Sequence, residues 1–237
     1  MAKKEFPEKK LIKEKDIFFP KESMNIPGDF STKISQISSK TFGVIKFVLG
    51  IMFLPLVFST VSSFLNEFSS INKDLQGIFW NGVICFLAVY LFIWEPTVIY
   101  NKGHKLLGIV FSFFKPMVSV APFLLPIYTI VFLFIYGLLS LWIRSGWLIE
   151  YTLFLVGFAT ILHLTFSAKT IRTKKGDFLK GNYIFGFSFI LILNLALLAF
   201  GFSLIFKEFS FVNFCNVSFD IAKSIFRTVF KQLFIFP

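Results

Sequence analysis

Apolar residues in this chain come in uninterrupted blocks separated by short lysine-bearing segments, and that spacing restricts its fold more than any other feature. An α-helix rises 1.5 Å per residue, so about 20 apolar residues cross the roughly 30 Å hydrocarbon layer of a bilayer. Several blocks reach that length in a chain of 237 residues that is 56% hydrophobic. Disorder and a coiled coil are excluded, and a soluble enzyme nearly so. Cys85 and Cys215 form no CxxC pair and no disulfide framework. The expectation is an all-α, polytopic integral membrane helix bundle.

Three regions follow from composition. Residues 1–43 carry nine Lys, six acidic residues and three prolines without an apolar core, and read as a polar, basic cytoplasmic tail, not a signal peptide. Residues 44–206 hold the transmembrane blocks, and 207–237 an amphipathic C-terminal segment. The first block runs from about Phe42 to Leu65, with Pro55 expected to kink it. A polar loop, Asn66–Gly77, leads to a second block ending at Glu95-Pro96, a sequence that stops a helix. Residues 106–143 are too long for one crossing and are interrupted by Lys115-Pro116, Pro122 and Pro126. They read as a proline-broken re-entrant segment followed by a full crossing. Backbone broken at that depth must be shielded by protein or line a wet cavity. Further blocks span Trp147–Ser167 and Tyr183–Phe206. In 220–236 the apolar residues Ile221, Ile225 and Val229 share a helical face that Lys223, Arg227 and Lys231 avoid, as in a helix lying on a membrane.

A formal charge of +11 invites a nucleic-acid partner, but the basic residues lie mainly in the tail and between apolar blocks. That is the distribution of cytoplasmic loops, so nucleic acid is not expected. If 106–143 crosses once, the basic segments 101–105 and 168–182 both fall inside with the N-terminus. About five crossings result. The absence of a targeting segment points to a bacterial inner membrane.

Polar residues inside the apolar blocks are few: Lys46, Lys115, Glu150, His163 and Asn194. Lys46, Lys115 and Glu150 lie near ends or breaks and can snorkel. His163 is expected to be a neutral, hydrogen-bonded side chain, and Asn194 to bond a neighbouring helix.

The stretch Tyr100-Asn101-Lys102-Gly103-His104-Lys105-Leu106-Leu107-Gly108 resembles the Y-x-x-G-H-E-L-x-H zinc helix of site-2-protease-type (M50-like) membrane metallopeptidases. Tyr100, Gly103, His104 and Leu106 match. Ala121-Pro122-Phe123-Leu124-Leu125-Pro126 is similar to the A-P-Y-x-x-P segment of bacterial members. Gly157, His163, Gly176-Asp177, Gly181 and Asn194 echo the family's closing helices. The resemblance covers residues 90–205 and implies His104, His163 and Asp177 as metal candidates.

The departures are as informative. Lys105 replaces the general-base glutamate and Gly108 the second zinc histidine, whereas catalytic zinc needs three protein ligands and a water that gives up a proton. The implied protein is a catalytically degenerate relative: a non-enzymatic membrane subunit or scaffold, without catalytic residues or a cofactor, that binds other membrane subunits. The rivals are a zinc-dependent intramembrane metalloprotease, which would bind zinc, and a small transporter or channel component.

Overall fold

The computed structural model describes residues 28–113, 121–143, 145–173 and 183–234, with side chains from Val44 onward except Lys46 and Thr173. Residues 1–27, Lys115-Pro116 and Asp177 lie outside them. All regular structure among the described residues is helical. The chain divides into two units, Met1–Lys40 and Thr41–Pro237. Of the first, the described part is helix over 28–40.

Among the described residues seven principal helices follow in chain order: α1 (Gly28–Phe68), α2 (Lys73–Ala88), α3 (Thr97–Val110), α4 (Ile127–Ser140), α5 (Gly146–Thr173), α6 (Tyr183–Ile205) and α7 (Phe211–Phe234). Four stretches among the described residues are long and apolar enough to cross a membrane: Phe47–Phe68, Lys73–Ile93, Gly146–Arg172 and Tyr183–Ile205. Their outer faces are apolar too, with Phe92 85% and Leu204 73% exposed. Such surfaces suit lipid as solvent and identify the pattern of an integral membrane protein.

Local chemistry sets several boundaries. α1 begins at Gly28, inside the stretch whose composition reads as polar tail. It continues through Pro55, and the Ser59 and Thr60 hydroxyls both donate to the Leu56 carbonyl one turn earlier. The loop expected over Asn66–Gly77 narrows to 69–72, because Asn72 caps α2 by accepting from the Asp74 N–H at 2.8 Å. α2 passes into a π-helical turn, Val89–Ile93, and regular helix stops ahead of Glu95-Pro96 as the sequence indicates. The basic stretch 101–105 lies within α3, where Tyr100, Gly103 and Leu107 form the buried face.

Pairwise contacts give the helix directions within the second unit. Phe86 packs on Phe158, Tyr90 packs on Phe166, and Glu95 forms an ion pair with Lys169. Residue numbers rise together along the seam, so α2 and α5 are parallel. A Cβ on Gly82 would stand 2.1 Å from the Phe154 carbonyl oxygen, and one on Gly157 would stand 2.3 Å from that of Phe79. The two glycines therefore let these backbones touch. Parallel neighbours need a return path between them. α4 provides that direction: Thr129 meets Thr160 at 3.1 Å, and Phe123 meets His163, which makes the 121–140 stretch antiparallel to α5. Leu124 lies at Asn194 and Leu133 at Gly201, so the same stretch runs parallel to α6.

The principal core gathers Phe64, Phe68, Phe79, Val156, Phe202 and Phe209 from α1, α2, α5, α6 and the α6–α7 link. Beside it, Glu67 is buried near the end of α1. It accepts from the Ser210 N–H at 3.0 Å and from the Asn213 side-chain amide, while Ser63 donates to the Phe214 carbonyl at 2.7 Å. These bonds seat the first turn of α7. Farther along, Lys223, Arg227 and Lys231 are exposed, as are Val229, Phe230 and Leu233. α7 thus packs on the bundle at its start and presents both polar and apolar faces beyond it.

Candidate functional site

Between α3 and α4 the chain makes one helical turn over 121–124, breaks at Leu125-Pro126 and resumes at Ile127. Pro122 and Pro126 bring no backbone N–H, and the break leaves carbonyl groups without helical donors. In an apolar setting each must be met by a side chain. α5 and α6 supply them. His163 Nε2 lies 3.1 Å from the Phe123 carbonyl oxygen, and Ser167 Oγ lies 3.4 Å from the same atom. Asn194 donates through Nδ2 to the Leu124 carbonyl at 3.0 Å and to that of Ile190 at 2.8 Å. A carbonyl only accepts, so the His163 ring carries its proton on Nε2.

α3 closes the other side. Tyr100 Oη is 3.3 Å from Ser167 Oγ, and its ring stacks on Phe166 at 5.2 Å. With Ser167 donating to Phe123, Tyr100 donates to Ser167, and two hydroxyls form a chain ending on the carbonyl. Burial pushes the Tyr100 phenol above its ordinary value, so it keeps its proton at physiological pH. The His104 ring meets Phe123 edge to face at 4.7 Å. Gly103 allows α3 to touch α4: a Cβ there would be 2.8 Å from the Tyr128 ring. Tyr128 in turn donates to the Ile99 carbonyl at 2.6 Å.

Residues widely separated in sequence and carrying the resemblance thus converge. Tyr100, Gly103, His104, Pro122 and His163 line one cavity of about 10 Å³, near the threshold for holding a single water. His163 and Asn194 are hydrogen-bonded to the broken segment, as expected for these residue types. His104 and His163 are brought together, whereas Asp177 lies outside the described residues. No group of three or more His, Cys, Asp or Glu side chains that could hold a metal occurs among the described residues. The donor set is two imidazoles, one with Nε2 engaged by a carbonyl. Lys46 and Lys115 also fall where no side chain is described, and Glu150 is exposed on the first turns of α5.

Ser167, Thr160 and Tyr128 were not singled out from the sequence. A signal exists: Thr160, His163 and Ser167 recur at steps of three and four, a polar seam along one face of an apolar helix.

No family model, curated protein or solved structure matches this chain.

Proposed function

We propose that this protein is a non-enzymatic integral membrane subunit or scaffold that binds other membrane proteins, on a frame descended from an M50-like metallopeptidase. The observation that carries the reading is the bond from His163 Nε2 to the Phe123 carbonyl. In it, a residue at a ligand-like position holds a broken helix together. The neighbouring space of about 10 Å³ is small for a metal, its water and a peptide carbonyl together. Lys105, at the general-base position, is exposed and brings positive charge. Convergence of the motif-like residues on one cluster supports the kinship, and the replacements at 105 and 108 support its degeneracy.

The threading belongs to the same proposal. The parallel seam of α2 and α5 supports a single net crossing between Trp94 and Gly146, giving five in all. α4 alone, at 14 residues, spans about 21 Å, so that crossing draws on the segment before it, as a re-entrant element would. The ends of α2 and α5 then face the cytoplasm with the N-terminus, and the membrane is a bacterial inner membrane.

Purification in mild detergent tests the role. Co-purification with other membrane proteins at fixed stoichiometry is expected. A solitary, monodisperse species that cleaves a membrane peptide would instead establish the protease, and flux in liposomes lost on altering Lys115 or Pro122 would establish a transporter.

A further inference from the structure

The first turns of α5 and the start of α2 bound an open groove of about 540 Å³, lined by Ile78, Trp147, Glu150, Tyr151, Phe154 and Leu155. Positions 147, 150, 151, 154 and 155 recur at helical spacing and lie on one face of α5. The composition of the groove changes with depth. Trp147, Glu150 and Tyr151 occupy its outer end, and Phe154 and Leu155 lie a turn farther into the span Gly146–Arg172. The Trp147 and Tyr151 rings meet edge to face at 6.0 Å and are 52% and 66% exposed. Trp and Tyr at the end of a membrane span sit at headgroup level.

Glu150 has no ion pair or hydrogen bond among the described residues. Glu150 is past the first turn of α5, which holds no acidic residue, so the helix dipole contributes little to its placement. The dipole also leaves the flanking rings and the apolar floor unexplained. A carboxylate beside hydrocarbon is costly without a counter-charge, and aromatic faces attract ammonium groups. The outer end therefore suits a cation, and the inner end suits an apolar chain attached to it.

We propose that this groove binds the ammonium headgroup of a zwitterionic phospholipid. Glu150 supplies the counter-charge, Trp147 and Tyr151 the ring walls, and Phe154 and Leu155 the bed for the first acyl carbons. An amphiphile with a cationic head matches this polarity along the groove, whereas a lysine or arginine of a partner protein would use only its outer end. The inference rests on α5 being a membrane span and is independent of the scaffold reading.

The test uses the full chain, delipidated in detergent and titrated with phosphatidylethanolamine or phosphatidylglycerol, with bound lipid counted by native mass spectrometry. The wild type should prefer phosphatidylethanolamine by about five- to ten-fold. Glu150→Gln, nearly isosteric at an exposed position, should bring the two lipids close to parity. Trp147→Ala should weaken the preference, and Glu208→Gln should leave it intact. Equal binding of both lipids by the wild type, or an unchanged preference in Glu150→Gln, would overturn the proposal. So would a basic membrane protein that co-purifies with the wild type and is lost with Glu150→Gln while the lipids stay undiscriminated.

Discussion

His163 on α5 and Phe123 in the broken segment before α4 are joined by a hydrogen bond of 3.1 Å between an imidazole Nε2 and a backbone carbonyl. The bond links a helix to a stretch of backbone that has lost its own donors, and it fixes the tautomer of the ring. Replacing His163 by Phe keeps an aromatic volume but leaves the Phe123 carbonyl only the longer bond from Ser167, at a cost of about 0.5–1.5 kcal/mol. Thermal unfolding in detergent should show a lowered midpoint, and His163→Gln, which retains a donor, should lose less. Equal stability of wild type and His163→Phe would remove the clasp from the argument.

Asn194 holds the adjacent carbonyl, Leu124, from α6. Asn194→Leu should cost about 0.6–2 kcal/mol, as for other interhelical bonds in membranes. Combined with His163→Phe the effects should fall short of additivity, since both bonds secure one segment. A double-mutant cycle that sums within error would mean that the two sites act independently.

Gly82 and Gly157 set the contact between α2 and α5. Alanine at either places a Cβ well under 3.0 Å from a backbone oxygen, which only separation of the helices relieves. Gly82→Ala and Gly157→Ala should each destabilise by about 1–3 kcal/mol. Gly77→Ala and Gly137→Ala, with nothing within 4 Å, should be neutral or gain up to about 1 kcal/mol from helix propensity. Unfolding midpoints of the four variants check this, and no difference between the pairs would contradict the close packing.

Glu67 joins α1 to α7 through the Ser210 N–H and the Asn213 amide. Glu67→Ala should free the first turn of α7 while leaving the bundle folded. Amide hydrogen exchange over 210–216 should then rise by about 10-fold or more, the scale of a lost bond to a charged group. Unchanged protection there would show that Ser63 and the Phe214 ring suffice.

Helix directions predict sidedness. In a background lacking Cys85 and Cys215, a cysteine at Asn101 and a tag within 168–182 should be reachable from one side of the bilayer. Cysteines at Ser70 and Trp142 should be reachable from the other. Impermeant thiol labelling of intact vesicles decides it. Asn101 and Trp142 on one side would rule out a net crossing between α2 and α5.

The spans were legible in the sequence because unbroken apolar runs have one solution in lipid. Pro126 was legible as a break for the same covalent reason that applies anywhere. The helical start of α1 at Gly28 was not, since hydropathy separates polar from apolar residues but does not distinguish polar helix from polar coil. Pro55 suggested a kink, and it lies inside a helix that runs on past it. The roles of Gly82 and Gly157 depend on which helix faces them, and one chain's sequence does not state its neighbours. His163 and Asn194 stood out as polar residues in apolar blocks, and their expected hydrogen bonding is present. Their shared target, the 123–124 carbonyls, was hidden because backbone atoms leave no mark in residue identity.

Whether the His104–His163 cluster is packing or a metal centre is decided by the zinc content of the intact protein, purified without chelator and measured by inductively coupled plasma mass spectrometry. A clasp around a broken helix predicts zinc far below one atom per chain, unchanged in His104→Ala. One zinc per chain, lost on His104→Ala, would contradict it and make this protein a metalloprotein.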